Sequence, residues 1–160
     1  MNLLLTIALL LGGVAPESAT GWMEPSRLGL VVGMTRASAE TALERRGQTL
    51  LPGKEPGHVI VHLSDKRTVT LAFEAGTLRS IRFELVGFIP EIRRAFAEAK
   101  ADLAKKLGDP SRALDRPMVL QYDASSPKVY VFAAADPVTS FGKQGLGFLV
   151  IRYFEAPPER

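Results

Sequence analysis

Three stretches in the middle of the chain alternate apolar with polar side chains: His58 to Ser64, Thr68 to Glu74 and Ser80 to Val86. A repeat of two sends successive side chains to opposite faces of an extended chain, so each stretch predicts a β-strand. Val59, Val61 and Leu63 then share a face with Val69, Leu71 and Phe73, and with Ile81, Phe83 and Leu85. A slip of one residue would turn one set to the wrong side. Matching faces calls for odd-length loops: Asp65-Lys66-Arg67, then a turn centred on Thr77 with Gly76 available for positive φ. The resulting register sets Val59 opposite Phe73 and Phe73 opposite Ile81. On the other face it sets His58 opposite Glu74 and His62 opposite Thr70.

Helical periodicity brackets this hairpin region. Thr35 to Arg46 reads as a short helix, with Thr35 placed to cap the first turn, Gly47 to stop the last, and a thin stripe of Ala39, Ala42 and Leu43. A second, stronger helix carries Ile92, Phe96, Ala99, Leu103 and Leu107 at spacings of three and four, with Pro90 at its start and Gly108 and Pro110 beyond its end. Three further strands follow: Met118 to Asp123, Lys128 to Ala134 and Phe148 to Phe154. The order helix, three strands, helix, three strands predicts an α+β fold of tandem α-β-β-β units. Both helices pack on one face of an antiparallel sheet. Whether the six strands form one sheet or two is left open by the pattern.

The N-terminus has a different texture. Leu3 to Leu11 is an apolar run followed by Gly12, Gly13, Val14 and Ala15. It is too short to span a bilayer, which takes about 20 apolar residues, and has the length of a signal-peptide core. The expected division is a signal peptide over 1–20 and one α+β domain over 21–160, in a periplasmic or secreted protein. No Lys or Arg precedes the run. The junction is ambiguous between Ala15 and Ala19. Ala15 to Ser26 reads as a linker in which Trp22 is a packing anchor.

Composition narrows the chemistry. With 160 residues the chain suits one ordinary domain. It has no cysteine, which excludes disulfides, thiol catalysis, thiolate metal sites and lipid attachment to an N-terminal cysteine. The net charge is +3, but Lys and Arg are interspersed with Asp and Glu and reach only pairs such as Arg45-Arg46 and Lys105-Lys106. That is a solvated surface and not a nucleic-acid patch.

The run Gly33-Met34-Thr35 before the first helix, then Gly47, then hairpins, resembles the SmpA/OmlA-type outer-membrane assembly lipoproteins. The repeated helix-plus-hairpins order is similar to the wider β-lactamase-inhibitor-like group. The resemblance implies an exported binding protein without catalytic residues or cofactor, of the kind that inhibits or assembles other proteins through the sheet edge. The lipoproteins carry an acylated cysteine that this chain lacks, so membrane anchoring and an assembly role are not carried over.

Candidate reactive groups are few. His58 and His62 lie four apart on one strand face, with Glu74 and Glu84 on neighbouring strands; together they are the candidate set for a small metal-binding protein or hydrolase. The alternative for the same residues is a wet outer face with Thr70, Ser80 and Arg82. No serine lies in a Gly-x-Ser-x-Gly elbow. Gly142-Lys143-Gln144 lacks the hydroxyl residue and the earlier glycine of a phosphate loop. It falls in a long hairpin connection, Asp136 to Gly147, of a length often used for binding.

The last three strands carry the least expected pattern. With Met118, Leu120, Tyr122, Val129, Val131, Leu149, Ile151 and Tyr153 turned to the helices, the opposite face holds Val119, Gln121, Lys128, Tyr130, Phe132, Phe148, Val150, Arg152 and Phe154. Aromatic rings with arginine are favoured interface chemistry. Burial of the same rings by curling of the sheet is the other outcome. The reading that follows is a non-catalytic exported protein-binding module, with Tyr130, Phe132, Phe148, Arg152, Phe154, Lys143 and Gln144 as partner-binding residues. A homodimer through the same face is a further possibility.

Overall fold

A computed structural model describes residues 18–115, 117–135 and 145–155. In chain order these form α1 (Arg36–Glu44), β1 (Leu50–Pro52), β2 (His58–Ser64), β3 (Arg67–Glu74), β4 (Thr77–Phe88), α2 (Ile89–Leu107), β5 (Arg112–Asp115), β6 (Met118–Tyr122), β7 (Lys128–Ala135) and β8 (Leu146–Phe154). The fold is α+β. All eight strands belong to a single antiparallel sheet in the order β1-β2-β3-β4-β8-β7-β6-β5. Each helix thus precedes four strands and not three, and the two units meet through their last strands, β4 and β8.

The expected faces are present in the sheet, but the loops that preserve them differ. Ser64 pairs with Arg67 across a two-residue turn, and the register shifts between His62 and Ser64, leaving Leu63 as an extra residue. Glu74 pairs with Thr77 across Ala75-Gly76, both at positive φ (48° and 77°) as a type I′ turn requires. Arg79 is the extra residue there, since Ala72 pairs with Ser80 and Phe73 with Leu78. The Ala75-Gly76 turn matches the right-handed strand twist, and in each hairpin a bulge restores the parity that a two-residue turn alone would break. The register therefore moves by two: Val59 faces Leu71 and Leu71 faces Ile81. The faces survive, with Val61, Val69, Leu71, Ile81 and Phe83 wholly buried.

Both helices contribute to one core on the inner face. Thr35 caps α1 by accepting from the Ser38 amide at 3.2 Å, and Ala39 and Leu43 are buried. The Glu91 carboxylate closes the start of α2 by accepting from the Phe88 amide at 3.1 Å. α2 buries Ile92, Ala95, Phe96, Ala99 and Leu103 against β4, β6, β7 and β8. Leu107, expected on the same stripe, is 39% exposed. One turn beyond Leu103 it reaches the rim of an apolar cavity of about 280 Å³ bordered by Val31, Pro127 and Tyr153.

The segment expected to be a linker is part of the core. Gly21–Met23 and Pro25–Leu28 form 3₁₀ turns that bury Trp22, Met23 and Leu28. The Trp22 indole donates to the Ala19 carbonyl at 2.9 Å, and its ring meets Phe83 edge-on at 5.8 Å. Ala19 donates in turn to Glu98 of α2 at 2.8 Å. A short segment rich in Pro and Gly can bury apolar groups through isolated turns without any periodicity to announce it.

Candidate functional site

The helices cover the inner face, so the outer face of the sheet carries the remaining chemistry. Antiparallel register lines side chains into rungs perpendicular to the strands. One rung crosses all eight strands: Leu51, Ile60, Thr70, Arg82, Arg152, Tyr130, Gln121 and Arg112. The next runs His62, Thr68, Glu84, Val150, Phe132, Val119 and Leu114. A third sets Val86 against Phe148 and Phe148 against Ala134. The β2–β4 half of this face is polar, and the β7–β8 half is aromatic.

These rungs form a groove of about 800 Å³ that runs from Lys54 and Glu55, after β1, across to Tyr130 and Phe132 on β7. Four of the expected partner-binding residues, Tyr130, Phe132, Phe148 and Arg152, line it together. The rings are neither bare nor sealed. All three are half-buried, and Phe132 and Phe148 lean on one another with centroids 5.7 Å apart. Val119 and Val150, on the same face, are buried beneath them. Phe154 lies beside the groove, where its ring supports the Arg152 guanidinium at 5.1 Å. Lys143 and Gln144 lie outside the described residues.

Two lining residues entered the sequence reading only as background polarity. Ser80 is buried and its hydroxyl accepts from Arg152 Nε at 2.8 Å. Arg82 donates to Glu84 on its own strand at 2.7 Å. Arg82 and Arg152 are direct cross-strand neighbours, a like-charge placement that alternation alone could not reveal without the β4–β8 pairing. At the far end of the face, Gln121 and Ser111 donate to Asp123 and hold its carboxyl below the usual carboxylate range.

The histidine set does not converge. His58 stands opposite Ala72 and not Glu74, and His62 opposite Thr68 and not Thr70, because the bulges shift the register. His58 Nδ1 is 3.7 Å from Glu55, and His62 Nδ1 is 3.4 Å from the Thr68 hydroxyl. Glu74 sits at the hairpin tip, 4.0 Å from Arg79, and Glu84 is committed to Arg82. Among the described residues no group of three His, Asp or Glu side chains is placed to hold a metal ion.

The fold and the groove define a two-faced α+β sheet protein, with helices on one side and an open, half-aromatic floor on the other. No family model, curated protein or solved structure matches the chain. No helix among the described residues is long and apolar enough to cross a membrane.

Proposed function

We propose that this chain is an exported, non-catalytic protein-binding module that docks a partner on its outer sheet face, as an inhibitor or an envelope assembly factor. The observation that carries the reading is the grouping of Tyr130, Phe132 and Phe148 with Arg152 in one groove, on the side of the sheet away from both helices. Half-buried rings held by their neighbours lose little conformational freedom on binding, which suits them as anchors. The groove exceeds the footprint of a single side chain and is lined by both apolar and hydrogen-bonding groups, as a protein interface requires.

The test is capture from envelope extract with the wild-type chain and with Tyr130→Ala plus Phe148→Ala. The double variant is expected to bind partners about thirtyfold more weakly, since two central aromatic anchors contribute about 1 kcal/mol or more each. Equal recovery by a variant with an unchanged circular dichroism spectrum counts against the reading. Concentration-dependent sedimentation of the pure chain, abolished in the same variant, would assign the face to a homodimer instead.

Export also makes a prediction about processing. Cleavage after Ala19 would remove the carbonyl that accepts from Trp22 and the amide that donates to Glu98. The mature N-terminus is therefore expected at or before Ser18, which excludes the Ala19 junction. Intact mass of the protein recovered from the periplasm or medium checks this, and a chain beginning at Thr20 would refute it.

A further inference from the structure

Arg152 is exposed, yet two contacts fix its side chain. Its Nε donates to the hydroxyl of Ser80, a residue only 6% exposed, and its guanidinium rests 5.1 Å from the centre of the Phe154 ring. These two contacts occupy Nε and one face of the plane. The terminal nitrogens remain for another group, and no carboxylate among the described residues pairs with them. Glu84, the nearest candidate by strand position, is held by Arg82. Arg82 and Arg152 are cross-strand partners, and with Lys54 they set three basic side chains in the groove against two acidic ones, Glu55 and Glu84. Arg112 lies further along the same rung.

Resting on the docking reading above, we infer that Arg152 receives a side-chain carboxylate from the protein partner, presented by an apolar segment that lies on Tyr130, Phe132 and Phe148. The forked guanidinium matches a carboxylate through two parallel hydrogen bonds. A pre-set fork loses less side-chain entropy on binding than a free one, which is the effect of the Ser80 and Phe154 contacts. A monoanion fits better than a phosphate dianion, because Glu84 stands two residues along β4 from Arg82, on the next rung of the same face, and repels extra negative charge. The rings flanking Arg152 require the residues beside the carboxylate to be apolar or aromatic. The occupant is thus an acidic residue set in an apolar stretch of a protein surface.

The experiment uses the ¹⁵N-labelled full mature chain and two probes, acetyl-Phe-Glu-Phe-amide and acetyl-Phe-Gln-Phe-amide, followed through arginine Nε–H and backbone resonances. The glutamate peptide is expected to shift Arg152 Nε–H together with the amides of β7 and β8. It should bind about tenfold more tightly than the glutamine peptide, the scale of one charge-assisted contact at a partly exposed site. Arg152→Gln should remove the difference between the peptides. Ser80→Ala should narrow the difference, and Ser80→Thr, which keeps the hydroxyl, should retain it.

Equal affinity for the two peptides overturns the assignment. So do shifts confined to other surfaces, or no saturable shift with either peptide. A stronger Arg152 response to inorganic phosphate than to the glutamate peptide overturns the monoanion preference. Failure here with partner capture still sensitive to Tyr130 and Phe148 removes only the carboxylate. Loss of that sensitivity removes the docking face itself.

Discussion

Replacing Phe83 by alanine is expected to destabilise the protein by about 3–5 kcal/mol, the range for deleting a buried aromatic ring whose surroundings cannot close over the space. Phe83 lies on β4 near the middle of the inner face and is wholly buried. Its ring meets Trp22 at 5.8 Å and Tyr153 at 6.0 Å, both edge to face. Those contacts tie together the N-terminal turns, the strand that ends the first unit and the strand that ends the second. Collapse into the space is opposed on each side, because Val69 and Ile151 are fixed by pairing to Phe83 on neighbouring strands. A loss of this size is a large fraction of the stability of an ordinary domain. Urea denaturation of the wild type and the variant measures it. A change below about 1 kcal/mol would mean that the N-terminal turns move in to fill the site, and that the core is less firmly set than its packing implies.

The same residue illustrates what the amino-acid pattern could and could not reveal. The alternation through β2, β3 and β4 identified Phe83 as inward-facing, and α2 was legible from spacing and from Pro90 and Gly108. Exact register was not legible, because alternation reports only parity. A two-residue turn with a bulge and a three-residue loop preserve the same faces while differing by two in pairing, so His58 met Ala72 instead of Glu74. That difference separated His58 from Glu74, while His62 and Glu84 still share a rung through Thr68.

β1 and β5 were missed for another reason. They have three and four residues, lie at the two edges of the sheet and are largely exposed, so they have no buried face to impose an alternating pattern. Leu51 and Leu114 remain 42% and 38% exposed. Short edge strands of this kind limit edge-to-edge association. The outer aromatic set was legible from the parity of β7 and β8. Its half-buried state was not, because it depends on rungs that cross between units joined only in three dimensions, such as Val86 beside Phe148 and Arg82 beside Arg152. The sheet thus separates the two demands on the sequence. Strong alternation serves the inner core, and departures from it on β7 and β8 mark the face proposed for binding.

A second large effect is expected at alkaline pH. Tyr153 lies on the inner face of β8 between Ile81 and Val129, and burial pushes its phenol up to about 12 from an ordinary value near 10. Below about pH 10 both folded and unfolded chains hold the proton, and the group imposes no pH dependence. As pH rises from about 10 to about 12 the unfolded chain releases its proton first, so the unfolded state binds fewer protons and stability falls. The favourable contribution is fully lost only above the folded value, and a displacement of about two units amounts to about 3 kcal/mol. Tyr153→Phe keeps the ring against Phe83 and removes the ionisation. Urea unfolding of both proteins at about pH 9 and about pH 11.5 isolates this residue from the other alkaline titrations, which the two chains share. The wild type is expected to lose roughly 2 kcal/mol more than the variant between those conditions. Parallel losses would show that the phenolate reaches water without unfolding, and that the β8 side of the core opens locally at a lower free-energy cost than the whole.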